Sequence, residues 1–154
     1  MNFKDRLGKE RLFFDGAMGT MLQARGLKAG ELPEIWNITN NDTIQHIHEL
    51  YLKAGSTIIN TNTFGANRLK IKNTKYSLEQ IISSAVETAK KAVKGNDCFV
   101  ALDIGPTGKL LCPFGDLEFE EAVDIFAQMI KAGNGADLIL IETMSDTYEI
   151  KADC

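Results

Sequence analysis

The sequence is poor in the features that would place it in several large protein classes. Its 154 residues include three cysteines, Cys98, Cys112 and Cys154, an odd number at wide spacing. Neither a disulfide framework nor a paired-cysteine zinc site can be read from them, and all three are expected to be reduced. No stretch approaches the roughly 18 apolar residues of a membrane span. The opening Met1-Asn2-Phe3-Lys4-Asp5-Arg6 lacks the apolar core of a secretion signal. A cytoplasmic protein without a membrane partner is therefore expected. Basic residues are scattered: 17 Lys and Arg stand against 21 Asp and Glu, for a net charge of -4. With no basic block to grip phosphates, nucleic acid is not an expected partner. Internal repeats and low-complexity tracts are absent. So are two phosphate-binding signatures, because Asp15-Gly16-Ala17-Met18-Gly19-Thr20 is not GxGxxG and Gly105-Pro106-Thr107-Gly108 lacks the Lys-Ser/Thr of a P-loop.

What is present is a globular composition, 44% hydrophobic and 25% charged, in a length that by itself suggests one domain. Four short apolar runs recur: Leu12-Phe13-Phe14, Thr57-Ile58-Ile59, Phe99-Val100-Ala101-Leu102 and Leu138-Ile139-Leu140-Ile141. Between them lie helical patterns. Ala17 to Ala24 can turn into a helix, and the segment on to about Thr39, with Gly26, Gly30, Pro33 and Trp36, reads as an irregular loop. Asn41 or Asp42 is expected to cap a helix carrying Ile44, Ile47, Tyr51 and Leu52. Ser77 with Gln80 has the form of a capping box, ahead of the apolar stripe Leu78, Ile81, Ile82, Ala85, Val86, Ala89 and Val93. Asp116 is expected to cap a helix whose buried face is Phe119, Ala122, Val123, Phe126, Met129 and Ile130, and a last helix starts near Asp146.

Strands apolar on both faces, alternating with amphipathic helices, predict a parallel sheet covered by helices. Each apolar run is followed by an acid or amide: Asp15, then Asn60 and Asn62, then Asp103, then Glu142. In barrels and open α/β sheets alike, the carboxyl ends of the strands carry the ligand site. Gly16 and Gly19 read as turn glycines before they read as ligand-binding ones. Asp103 is either a pocket residue or an acid fixing the Gly105-Pro106-Thr107-Gly108 turn, and the turn is favoured. Trp36 either covers the mouth of the site or packs. His46 and His48 are two apart and do not share a helix face, so they are expected to be partly solvated and not metal ligands.

An open flavodoxin-like sheet and half of a barrel both fit these elements. The motifs Phe14-Asp15-Gly16-Ala17-Met18-Gly19-Thr20, Thr61-Asn62-Thr63-Phe64-Gly65-Ala66, Asp103-Ile104-Gly105-Pro106-Thr107-Gly108 and Glu142-Thr143-Met144 resemble, in order and spacing, the N-terminal half of the homocysteine S-methyltransferase domain family. The chain looks most like the homocysteine-binding module of cobalamin-dependent methionine synthases. The resemblance implies an α/β fold, a (β/α)8 TIM barrel of which residues 1–154 supply the first four βα units, with no second domain. A complete barrel needs about 250 residues, so the chain is expected to be a fragment.

The resemblance also implies an activity, methyl transfer to the zinc-activated thiolate of homocysteine, giving methionine. Asp15 and Glu142 would bind the amino group, Gly16 and Ala17 would lend backbone N–H groups to the substrate carboxylate, and Thr61, Asn62 and Thr63 would line the pocket. The family's three zinc cysteines lie in its C-terminal half, so no metal role carries over to Cys98, Cys112 or Cys154. Cobalamin would act as methyl carrier on another module. The implied partners are homocysteine and a C-terminal half-barrel or further methionine synthase modules, and the unpaired edges of a half-barrel add self-association as an expectation. The alternative is a catalytically inactive half-barrel that needs a partner or its C-terminal half to fold and function.

Overall fold

A computed structural model describes residues 2–154. Three parallel strands, β1 (Ile58–Asn60), β2 (Phe99–Ile104) and β3 (Leu138–Ile141), form one sheet in the order β1-β2-β3. Ile58 pairs with Phe99, and Ala101 with Leu138. Eight helices accompany them: α1 (Phe3–Arg6), α2 (Met18–Gln23), α3 (Trp36–Thr39), α4 (Asn41–Lys53), α5 (Arg68–Ile71), α6 (Leu78–Val93), α7 (Phe119–Ala132) and α8 (Thr147–Asp153). The β1-α6-β2 and β2-α7-β3 crossovers are the expected βα units. No helix among the described residues is long and apolar enough to cross a membrane.

The first expected strand is corrected to a single bridge, in which Phe14 pairs in parallel with Ile58. The Thr57 side chain explains the shortening, because its hydroxyl takes the Phe13 N–H at 2.7 Å and diverts it from a backbone ladder. Phe13 and Phe14 remain 56% and 43% exposed.

Both faces of the sheet are apolar. On one face Leu102 and Ile104 pack against Ile81, Ile82 and Val86 of α6 and Ile125, Phe126 and Met129 of α7. On the other, Ile58, Phe99 and Ala101 meet Leu12, Leu138, Leu140 and Phe3 of α1, whose ring stands edge-on to Phe99 at 5.4 Å. Every residue of β2 is buried. The edge strand β3 departs from the expected burial on both faces, since Ile139 is 44% exposed.

α6 begins with the predicted capping box: Gln80 N donates to Ser77 Oγ at 3.1 Å and Ser77 N donates to Gln80 Oε1 at 2.9 Å. Just beyond its end, Gly95 adopts φ +84°, a conformation that glycine reaches without steric cost. Ser77→Ala, which orphans a helix-end N–H, is expected to destabilise the domain by about 1 kcal/mol in urea unfolding.

Other local expectations are corrected. The loop before Thr39 contains a 3₁₀ turn at Pro33–Ile35 and α3. Trp36 packs against the cluster of Leu22, Leu27, Ile44 and Ile47. The N-cap of α4 is Asn40, without a side-chain bond. Asn41 instead donates to Asn37 O at 2.8 Å and reaches the Ser84 and Thr88 hydroxyls of α6, tying three helices together. Glu118, not Asp116, is the N-cap of α7, because Asp116 is drawn to Lys109 at 2.8 Å. Phe119 is 37% exposed and sits at the rim, outside the buried face. His48 is completely buried, against the expectation of a partly solvated residue. Its spacing from Ile44 and Ile47, four and one residues on, places it on the inward stripe of α4.

Candidate functional site

The polar residues that follow the apolar runs gather at the carboxyl end of the sheet. Asp15 follows the Phe14 bridge, and its Oδ2 accepts the Asn60 N–H at 3.1 Å while its Oδ1 is buried without a partner. Burial pushes the Asp15 carboxyl up to about 7; the Asn60 N–H opposes this, and Glu142 adds to it. The turn after Asp15 is pinned from α4, where the Tyr51 hydroxyl donates to Ala17 O at 3.0 Å. A Cβ on Gly16 would lie 2.8 Å from Tyr51 Cε1, so a side chain here would have to push the Tyr51 ring aside. Gly16→Ala is expected to displace Tyr51, break that hydrogen bond and lower stability by about 1–2 kcal/mol in urea unfolding.

The loop after β1 ties the site to the sheet. The Thr61 and Thr63 hydroxyls lie 2.6 Å apart, Thr63 Oγ donates to Asp103 O at 2.7 Å, and Asp103 N donates to Thr61 Oγ at 3.1 Å. Asn62 donates through Nδ2 to Pro33 O at 2.8 Å and to Asn37 Oδ1 at 3.1 Å, while its own carbonyl accepts Asn37 Nδ2 at 2.8 Å. These bonds fix the 3₁₀ turn over the end of β1.

A cleft of about 280 Å³ opens there, with Thr61, Asn62, Asp103 and Glu142 among its lining residues together with Met18 and Gly19 of α2, whereas Asp15, Gly16 and Ala17 lie outside its lining. Thr63 is fully buried beneath it. Glu142 leaves β3 with its N–H donated to Ile104 O at 3.1 Å. The next residue, Thr143, holds φ +58°, a left-handed conformation that costs a β-branched side chain about 1–3 kcal/mol and is concentrated at functional sites.

Two acids of this cleft escaped the sequence reading or were misassigned by it. Glu34, on the 3₁₀ turn, is 5% exposed and accepts the Gly65 N–H at 2.7 Å. Asp103 lines the cleft and does not fix the Gly105-Pro106-Thr107-Gly108 turn. That turn is held by Glu149 of α8, which accepts both the N–H and the hydroxyl of Thr107, and by Lys70, which donates to Pro106 O. Burial, followed by Glu142, Asp15 and Glu34, pushes the Asp103 carboxyl up to about 8. A larger cleft of about 550 Å³ around Cys112, Phe114 and Tyr148 is mostly apolar and lacks such convergent acids.

The residues present do not fit the three-cysteine zinc site that the resemblance implies. Among the described residues no cluster of three His, Cys, Asp or Glu could hold a metal ion. Cys98 precedes β2, at the end of the sheet away from the cleft, and Cys112 and Cys154 are exposed.

The sequence profile of homocysteine S-methyltransferases matches residues 12–153. Methionine synthase of Mycobacterium tuberculosis is 29% identical over 163 residues, a match covering 96% of this chain and 14% of that protein. The homocysteine methyltransferase MmuM from Escherichia coli shares the fold. Its metallated form superimposes with a TM-score of 0.80 at 24% identity, over 97% of this chain and 59% of MmuM. Its oxidised form gives 0.82 at 24% identity, over 99% and 60%. The chain therefore spans less than two thirds of these relatives' lengths. With its motifs, α/β architecture and profile in agreement, the chain belongs to the homocysteine S-methyltransferase family, whose members are enzymes.

Proposed function

We propose that residues 1–154 form the N-terminal, amino-acid-binding half of a (β/α)8 homocysteine S-methyltransferase that makes methionine, as methionine synthase does. The observation that carries this reading is the placement of Asp103 and Glu142 in the lining of one cleft at the carboxyl ends of the neighbouring strands β2 and β3, with Asp15 beside β1. Carboxylates in a partly dry cleft suit an ammonium, which forms charge-assisted hydrogen bonds with them. In this reading Asp15 and Glu142 hold the amino group of homocysteine. Backbone N–H groups of Gly16 and Ala17 receive its carboxylate, and Thr61, Asn62 and Thr63 keep the wall in place.

The homocysteine thiol, with a pKa of about 8.5, is mostly protonated at neutral pH and needs activation to attack a methyl group. No residue set described above holds the family's zinc, so activation and the methyl donor fall to groups outside residues 1–154. The chain's own contribution is to bind and orient the amino-acid end. Isothermal titration of the chain with L-homocysteine tests this, and one binding site that needs no added zinc is the expected result. Silence from a folded sample would sink the reading.

A second reading has its own support in the exposed apolar edges of the sheet, Phe13 and Phe14 at one side and Ile139 at the other. Such edges invite pairing. In this reading the chain is inactive alone and works only beside a second half-barrel or another copy. Sedimentation velocity at micromolar concentration is expected to show association, and a stable monomer would remove the need for a partner.

A further inference from the structure

We propose that Asp103 is the third carboxyl of the amino-acid site and releases a proton when the ammonium of the substrate docks against its Oδ1. This rests on the amino-acid-binding reading above. It adds a ligand and a proton for which Asp15 and Glu142 do not account.

The placement of Asp103 carries the inference. β2 is the middle strand, so Asp103 at its carboxyl end lies between Asp15, beside β1, and Glu142, beyond β3. Both backbone polar groups of Asp103 are clamped, the N–H on Thr61 Oγ and the carbonyl under Thr63 Oγ, so its side chain leaves a fixed backbone for the cleft it lines. It is 8% exposed, and its Oδ1 is buried without a hydrogen-bond partner. The charged groups that face it are Asp15, Glu34 and Glu142, all acidic, and Glu34 is already engaged by the Gly65 N–H. No lysine or arginine lines the cleft among the described residues. A buried acceptor without a donor, ringed by acids, is a site for a cation bearing N–H groups. An ammonium carries three; Asp103 and Glu142 line the cleft, and Asp15, beside β1, also has an Oδ1 buried without a partner.

A buried carboxyl with acids for neighbours and no cation beside it keeps its proton. Asp103 is the most buried of these three acids, and burial with the neighbouring acids pushes its carboxyl up to about 8. When the ammonium docks, the Asp103 O–H bond breaks, the proton passes to solvent, and Oδ1 accepts an N–H in its place. No other bond changes.

L-Methionine is the probe, because it has the ammonium and carboxylate of homocysteine and no thiol to titrate. The whole chain and its Asp103→Asn variant are titrated calorimetrically at pH 7 and 8, each in two buffers of different ionisation enthalpy. The parent is expected to release about one proton more than the variant at pH 7 and to bind about tenfold more tightly at pH 8 than at pH 7. The variant is expected to change less than about twofold, that remainder coming from Asp15. Methionine binding with the same pH slope in both proteins overturns the role of Asp103 and leaves the amino-acid site standing. If neither protein binds methionine, both readings fall. Should the variant fail to fold, the parent decides alone, because an affinity that is flat between pH 7 and 8 overturns the proposal.

Discussion

Asp15→Asn is expected to weaken homocysteine binding by about 30- to 100-fold, which corresponds to the roughly 2–3 kcal/mol of one charge-assisted hydrogen bond. The substitution separates binding from folding. The structural contact of Asp15 is its Oδ2 accepting the Asn60 N–H, and an asparagine oxygen can accept that bond equally well. What the amide lacks is the negative charge. Glu142→Gln should act in the same direction, and the double variant should lose less than the sum, because the two charges repel each other. The pH dependence follows from the same residue. Burial first, then Glu142, raises the Asp15 carboxyl to about 7, with the Asn60 N–H opposing. The ammonium favours the ionised carboxylate, so binding expels a proton below that pH. Affinity is therefore expected to fall by at least about tenfold per unit as pH drops below 6. Calorimetric titration measures both effects. An Asp15→Asn variant that binds within threefold of the parent would remove Asp15 from the site.

The parts of this site that can be read from sequence share a local signature, an apolar run that turns polar within one residue. Ile58-Ile59-Asn60, Leu102-Asp103 and Ile141-Glu142 each show it, so these three strands and the polar residues at their ends are legible. Glu34 is not, because it lies in a loop behind Pro33 and its partner, the Gly65 N–H, is 31 residues away. Asp103 was misassigned because an acid ahead of Gly-Pro commonly fixes its own turn. Here Glu149, 42 residues beyond Thr107, performs that task and frees Asp103 for the cleft. The Leu12-Phe13-Phe14 run has a strand's composition, but a strand's length depends on its neighbours, and Thr57 takes the hydrogen bond that would extend the ladder. The burial of His48 is legible in its four-residue spacing from Ile44, whereas its two-residue spacing from His46 bears only on metal binding.

At pH 8 the Asp103→Asn variant is expected to be more stable than the parent by about 2–4 kcal/mol, with the difference vanishing near pH 4. The sign follows from the raised carboxyl. Its ordinary value is 3.8 and burial with the surrounding acids lifts it to about 8, so the native state holds this proton more tightly than the unfolded chain does. The stability linked to it is complete below about pH 4 and is lost as pH rises to 8. Asparagine has no charge to bury and skips that loss. His48 contributes the opposite trend: burial alone lowers it from 6.5 to about 4, and neither ring nitrogen has a partner, so its share is present above 6.5 and disappears on acidification. Urea unfolding of parent and variant at pH 5 and 8 isolates the Asp103 contribution, since His48 is common to both. Equal stabilities at both pH values would mean that Asp103 is solvated in solution. Saturating L-methionine at pH 8 should then close the gap, because the ammonium supplies the charge that the empty cleft lacks, and only the parent has the ionised oxygen to gain from it. An acid that destabilises the empty fold at the pH where it serves the ligand is the expected signature of a cleft shaped to receive a cation.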